Sequence, residues 1–183
     1  MSISQNIKNI LAKIPKEVTL VAISKTHPPE IVMEAYNTGH KVFGENKVQE
    51  LLSKYEALPK DIEWHMVGHL QTNKVKYIAP FISLIHSVDC LKLLNEINKG
   101  GIKNTRVINC LLQIHIAEEE TKFGLSDNEL FELLNSNEFK AFANVRVTGL
   151  MGMATFTDDM EQVRKEFRKL AKLFQQVKAE FFS

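Results

Sequence analysis

The chain has 183 residues, of which 44% are hydrophobic and 25% charged, as in ordinary globular proteins. Its 23 basic and 22 acidic residues give a net charge of +1, which argues against nucleic-acid and anionic-membrane partners. No apolar run is long enough to span a bilayer, and the N-terminus lacks the apolar stretch of a signal peptide. Cys90 and Cys110 lie far apart, so we expect buried free thiols and a cytoplasmic protein.

Helical and strand-like patterns alternate along the chain. The expected strands cover 18–23, 42–43, 62–67, 81–86, 106–116 and 145–151. The expected helices cover 3–14, 29–36, 47–55, 73–79 and 90–99, with Gly100-Gly101 ending the last of these. Ser126 and Glu129 form a capping box that begins a further helix, and the final helix begins near Asp158-Asp159.

Six strands, each followed by a helix and none joined by hairpin signals, predict a parallel sheet in an α/β fold. Two architectures fit this pattern, an open doubly wound sheet and a (β/α) barrel. The first strand–helix turn has no glycine-rich phosphate fingerprint, which counts against a dinucleotide-binding fold. A closed barrel needs eight strands, whereas this sequence supplies six.

Polar residues follow the predicted strands. They occupy positions 24–27, 44–46, 64–74, 86–89, 113–124 and 149–153. Because ligands of parallel α/β folds lie at the carboxyl ends of the strands, we expect these segments to form one binding site.

Lys25 is the most informative of these residues, since it follows an apolar run and a single serine. A lysine partly desolvated at a strand end would present a neutral amine that can attack an aldehyde. The alternative is a surface lysine at the point where the strand enters solvent, and position alone favours this alternative because buried lysines are rare.

Three further residue types have weaker signals. His65, His69 and His86 lack metal-site spacing, so we expect structural histidines and no metal. Asn46 is a candidate N-cap of the helix at 47–55, a role that is compatible with a ligand contact. Met151 is expected in the core or in a pocket wall.

The chain carries, in order, VAISKT at 21–26, FGENKVQE at 43–50, WHMVGHLQTNK at 64–74 and HSVD at 86–89. EETKFG at 119–124 and GLM at 149–151 continue the series. In combination these segments resemble the pyridoxal phosphate homeostasis protein family.

The resemblance implies a TIM-like (β/α) barrel of the alanine racemase N-terminal type. It also implies pyridoxal 5′-phosphate as the cofactor, held as an aldimine on the lysine of the Ser-Lys-Thr motif, which is Lys25 here. Asn46, His65 and Met151 are implied as further cofactor-binding residues, and no catalytic residue is expected.

Nothing after Met153 resembles the last two strands of the family or the segments that hold the cofactor phosphate. We therefore expect residues 1–183 to form a single barrel domain that stops after the sixth strand–helix unit, without strands seven and eight. This departure puts phosphate binding in question.

The resemblance implies a carrier or buffer in intracellular vitamin B6 homeostasis, with pyridoxal phosphate-dependent apo-enzymes as candidate partners. The alternatives are an amino-acid racemase and a binding module with a vestigial cofactor site. Racemisation needs a second acid–base group opposite the lysine, and Tyr36, Tyr55 and Tyr77 all fall in predicted helices. We expect a non-catalytic monomer or weak homodimer.

Overall fold

A single six-stranded parallel sheet forms the centre of the computed structural model, which describes residues 2–118 and 123–182. Its strands are β1 (Ala22–Ile23), β2 (Val42–Glu45), β3 (Glu63–Met66), β4 (Leu84–Val88), β5 (Ile108–Ile114) and β6 (Val145–Gly152). They pair in chain order. The predicted parallel sheet is confirmed, and the doubly wound alternative is wrong because the order never reverses at a switch point.

Helices alternate with these strands. They are α1 (Ile3–Leu11), α2 (Pro29–Tyr36), α3 (Val48–Ala57), α4 (Val75–Ile78), α5 (Leu91–Lys103), α6 (Asp127–Asn135), α7 (Asn137–Lys140) and α8 (Met160–Phe181). A 3-10 turn, Thr72–Lys74, precedes α4. None of the helices in the described part of the chain is long and apolar enough to cross a membrane.

Two predicted helix starts are confirmed in atomic detail. At α6 the Ser126 hydroxyl accepts from the Glu129 N–H at 3.3 Å, and the Glu129 carboxylate accepts from the Ser126 N–H at 2.8 Å. At α8 the Asp159 carboxylate accepts from two N–H groups of the first turn. These contacts satisfy amides that would otherwise have no partner at the helix ends.

The predicted end of α5 at Gly100-Gly101 is wrong, because the helix continues to Lys103. Both glycines are buried at close contacts. A Cβ on Gly100 would lie 2.9 Å from the Ala79 Cβ, and one on Gly101 would lie 2.7 Å from the Asn144 carbonyl oxygen. The pair serves helix packing rather than helix termination.

The first and fourth strands begin later than predicted. Only Ala22–Ile23 of the expected strand 18–23 is paired, in register with Phe43 and Gly44 of β2. The fourth strand begins at Leu84 rather than at 81, since the amides of Phe81 and Ile82 donate to the Ile78 carbonyl in the turn after α4. The expectation of buried thiols is correct for Cys110 and wrong for Cys90, which is exposed at the start of α5.

The two faces of the sheet differ in what covers them. Phe43 and Trp64 lie on the face that packs against the helices, with their rings 6.0 Å apart, and both are fully buried. The opposite face, here the open face, carries the register row Ile23, Gly44, His65 and Leu84. His65 is nevertheless buried, which agrees with a sheet that curves as a barrel wall does.

Candidate functional site

Lys25 lies in a tight turn that follows β1. The turn is closed by a hydrogen bond from the His27 N–H to the Ser24 carbonyl, at 3.1 Å. Thr26, directly after Lys25, has a φ of 66°, which lies in the left-handed region that β-branched residues disfavour. The turn therefore presents Lys25 at the carboxyl edge of the sheet.

Of the two interpretations of Lys25, the surface lysine is the correct one, because the residue is exposed. β1 is an edge strand, and among the described residues nothing pairs with its outer side. Ile23, on the same strand, is also 46% exposed. The Lys25 amine is therefore open to solvent and accessible to a ligand.

A buried ion pair supports the residue before Lys25. The Lys54 ammonium of α3 donates to the Glu45 carboxylate of β2 at 2.5 Å and to the Ser24 carbonyl at 2.7 Å. The Ser24 hydroxyl donates to the same carboxylate oxygen at 2.6 Å. Lys54 is only 4% exposed and Glu45 is fully buried. Sequence reasoning missed this network, because a lysine on an amphipathic helix is ordinarily a surface residue.

A second carboxylate, which belongs to α3, supports the residue after Lys25. Glu50 accepts a hydrogen bond from the Thr26 N–H at 3.0 Å. The same carboxylate lies 4.0 Å from the Lys54 ammonium. The Glu50–Lys54 spacing of four residues was the available sequence signal, since such pairs meet on one side of a helix.

His65 of β3 and His86 of β4 form a hydrogen-bonded pair, with His65 Nδ1 and His86 Nε2 3.0 Å apart. Burial, and to a smaller extent the neighbouring His86, lowers the pKa of His65 to about 4. Burial also lowers the pKa of His86. At neutral pH both imidazoles are therefore uncharged, and one donates to the other.

We expect this pair to make stability fall between about pH 6.5 and pH 4. In the unfolded chain the histidines take up protons near the ordinary pKa of 6.5, whereas folded His65 does so only near 4. Stability is therefore fully present above pH 6.5 and is lost as the pH falls through this window, by on the order of 2–3 kcal/mol. Urea unfolding at half-unit pH steps measures the slope.

The double variant His65→Asn, His86→Asn should remove most of that slope, because no imidazole remains there to titrate. His27→Asn, at an exposed position, is the matched control and should leave the slope as in the unmodified chain. An unchanged slope in the double variant would show that other groups cause the acid sensitivity.

Asn46 does not cap α3, so that interpretation is wrong. The residue at the cap position is Lys47, and no side chain caps the helix there. Asn46 is half-buried, and Gly68 packs closely on its backbone. A Cβ on Gly68 would lie 2.4 Å from the Asn46 carbonyl oxygen, so this glycine permits the segment after β3 to touch the segment after β2.

The structure brings some of the predicted site residues together and leaves one apart. Lys25, Asn46 and His65 belong to three consecutive strands or to the segments that follow them. Met151 lies on β6, at the other edge of the sheet, where it pairs in register with Gln113. Gln113 and His65 lie on the same open face, so Met151 also lies on that face. Its strand is nevertheless at the opposite edge of the sheet from β1, which precedes Lys25.

The third histidine has a separate environment. His69 Nδ1 is 3.6 Å from the Asp89 carboxylate, and its ring stacks on Phe123 with centroids 4.8 Å apart. Within residues 2–118 and 123–182, no three His, Cys, Asp or Glu side chains are grouped as a metal site. Positions 119–122 of the EETKFG segment lie outside the described residues.

Comparison with known proteins decides the family. The whole chain, 1–183, matches the alanine racemase N-terminal domain model. The pyridoxal phosphate homeostasis protein of Aquifex aeolicus is 45% identical over 163 residues, covering 88% of this chain and 71% of the relative. The chain belongs to the pyridoxal phosphate homeostasis protein family. Another member, from Vibrio alginolyticus, is 34% identical, and the match covers 98% of this chain and 83% of that relative.

Solved structures confirm the fold class. PipY of Synechococcus elongatus, 27% identical, superposes with a TM-score of 0.92 without pyridoxal phosphate and 0.88 with it bound. In both cases the match covers 98% of this chain and 83% of PipY. Alanine racemase of E. faecalis, which is 13% identical, shares the fold with a TM-score of 0.74. The match covers 94% of this chain and 48% of the racemase. The predicted α/β barrel of the alanine racemase N-terminal type is thus confirmed.

Proposed function

We propose that this family member binds pyridoxal 5′-phosphate and holds it covalently through Lys25. The observation that carries the proposal is the exposed lysine in a turn fixed at both neighbouring residues, at the carboxyl edge of a barrel-type sheet. The PipY structure with pyridoxal phosphate bound supports the choice of cofactor.

The Lys25 amine fits the aldehyde group of this cofactor. Its nitrogen adds to the aldehyde carbon, the oxygen leaves as water, and a C=N bond joins protein and ligand. When bound, pyridoxal phosphate supplies an electron-withdrawing pyridine ring that stabilises negative charge on attached amino acids. An exposed amine can both form and release such a bond, which suits a protein that delivers its ligand.

The remaining predicted contacts suit an aromatic ring. His65 and His86 offer uncharged imidazoles, so no ionised group of this pair opposes the burial of a ring on the open face. Asn46 offers a half-buried amide and Met151 a polarisable thioether. We propose these residues as the wall of the site and residues 1–183 as one cofactor-binding domain.

We further propose a non-catalytic role as a cytoplasmic carrier or buffer of vitamin B6, with pyridoxal phosphate-dependent apo-enzymes as recipients. The names of the relatives support this role. The tyrosines support it too, since each has a structural partner. Tyr36 donates to Asp61, Tyr55 stacks on Phe81 at 3.7 Å, and the Tyr77 ring centroid lies 5.0 Å from the Lys76 ammonium.

A racemase is the second candidate, favoured by the fold shared with alanine racemase. The two candidates are separated by loading the chain with pyridoxal phosphate and adding L-alanine in D₂O. A carrier should leave the α-proton unexchanged and should reactivate an added apo-enzyme. Exchange of the α-proton with formation of D-alanine would contradict the carrier role.

A further inference from the structure

The turn that carries Lys25 adopts a conformation that its own residues do not favour. Thr26 has a φ of 66°, whereas side chains branched at Cβ strongly prefer negative φ values. Backbone strain of this kind persists only where surrounding contacts hold it, and it is frequent at functional sites.

One hydrogen bond directly stabilises the strained conformation of Thr26. The Thr26 N–H donates to the Glu50 carboxylate at 3.0 Å, a hydrogen bond strengthened by the negative charge of its acceptor. Glu50 lies in the first turn of α3 and is 31% exposed at its side chain. The carboxylate also lies within 4.0 Å of the ammonium groups of Lys47 and Lys54.

Two side chains of α3 thus hold the residues on either side of Lys25. Lys54 holds the Ser24 carbonyl on one side, and Glu50 holds the Thr26 amide on the other, from positions one helical turn apart. Of the two, Lys54 is buried in the ion pair with Glu45, whereas Glu50 has the Thr26 N–H as its short-range contact.

We propose that Glu50 is a positioning residue for Lys25. Its carboxylate holds Thr26 in the left-handed conformation, and this sets the direction in which the Lys25 amine leaves the turn. The inference rests on the proposed function, because it concerns how readily Lys25 bonds to the aldehyde of pyridoxal phosphate. Glu50 belongs to the helix layer and is not assigned any contact with the cofactor.

Two ligands separate positioning from general damage. Pyridoxal 5′-phosphate can bond to Lys25, whereas pyridoxine 5′-phosphate carries an alcohol in place of the aldehyde and binds only noncovalently. In Glu50→Ala the covalently bound fraction should fall about tenfold, because a misdirected amine meets the aldehyde less often in a reactive geometry. The affinity for pyridoxine 5′-phosphate should stay as in the unmodified chain.

Three variants complete the test. Glu50→Gln keeps an oxygen acceptor for the Thr26 amide and should retain most of the covalent product. Adding Thr26→Gly to Glu50→Ala should restore part of it, since glycine adopts positive φ without help. Glu96→Ala breaks a comparable helix-surface ion pair, with Lys99, and is the matched control that should change nothing.

Each outcome has one meaning. A parallel loss of both ligands in Glu50→Ala would overturn the positioning role, and so would an undiminished covalent product. If the unmodified chain forms no product at Lys25, the proposed function fails and this inference fails with it. A product at Lys25 that Glu50→Ala leaves intact overturns the inference alone.

Discussion

Lys25→Ala should abolish the covalent pyridoxal phosphate adduct while leaving the fold intact. The side chain is exposed, so the free energy of unfolding should change by no more than about 0.5 kcal/mol. Without its amine, no C=N bond forms at this turn. Visible absorbance after ligand addition, together with borohydride trapping, measures the loss.

The matched control is Lys92→Ala, which removes an exposed lysine from α5, far along the chain from the proposed site. Borohydride labelling of this variant should equal that of the unmodified chain. A Lys25→Ala variant that still binds saturably and is still trapped would place the adduct on another lysine.

Lys54→Met should be the most destabilising single change that we predict. It keeps an unbranched side chain one atom shorter than lysine but leaves the fully buried Glu45 carboxylate without its cation. Removing one partner of a buried ion pair typically costs about 3–5 kcal/mol. One oxygen of this carboxylate, Oε2, already has no hydrogen-bond partner among the described residues. Guanidinium unfolding measures the change.

The double variant Lys54→Met, Glu45→Leu should recover most of that loss, because the remaining buried charge is removed with its partner. Lys99→Met provides the control, since its ion pair with Glu96 lies on the helix surface and contributes little. If Lys54→Met costs no more than this control, the ion pair does not stabilise the β1 turn.

Much of the fold follows from periodicity and helix signals in the sequence. The six parallel strands and the starts of α6 and α8 were predictable, because capping residues act locally on the backbone. The length of α5 was not predictable in this way. Gly100 and Gly101 are favoured at helix ends in general, but here their missing side chains admit Ala79 and Asn144 at close range. Only tertiary contacts reveal that use.

The site was less predictable than the fold. The resemblance singles out Lys25, but its exposure depends on β1 being a sheet edge, which local pattern does not determine. The His65–His86 pair joins positions 21 residues apart and forms only because their strands are neighbours. Lys54 has the helical spacing of an exposed residue, and its burial depends on Glu45 in β2.

Mapping of a trapped adduct tests whether Lys25 holds pyridoxal phosphate. The chain is titrated with the ligand, reduced with borohydride and digested, and the labelled lysine is identified by peptide mapping. We expect a saturable signal and a single label at Lys25. The absence of saturation, or a label at another lysine in place of Lys25, would contradict it.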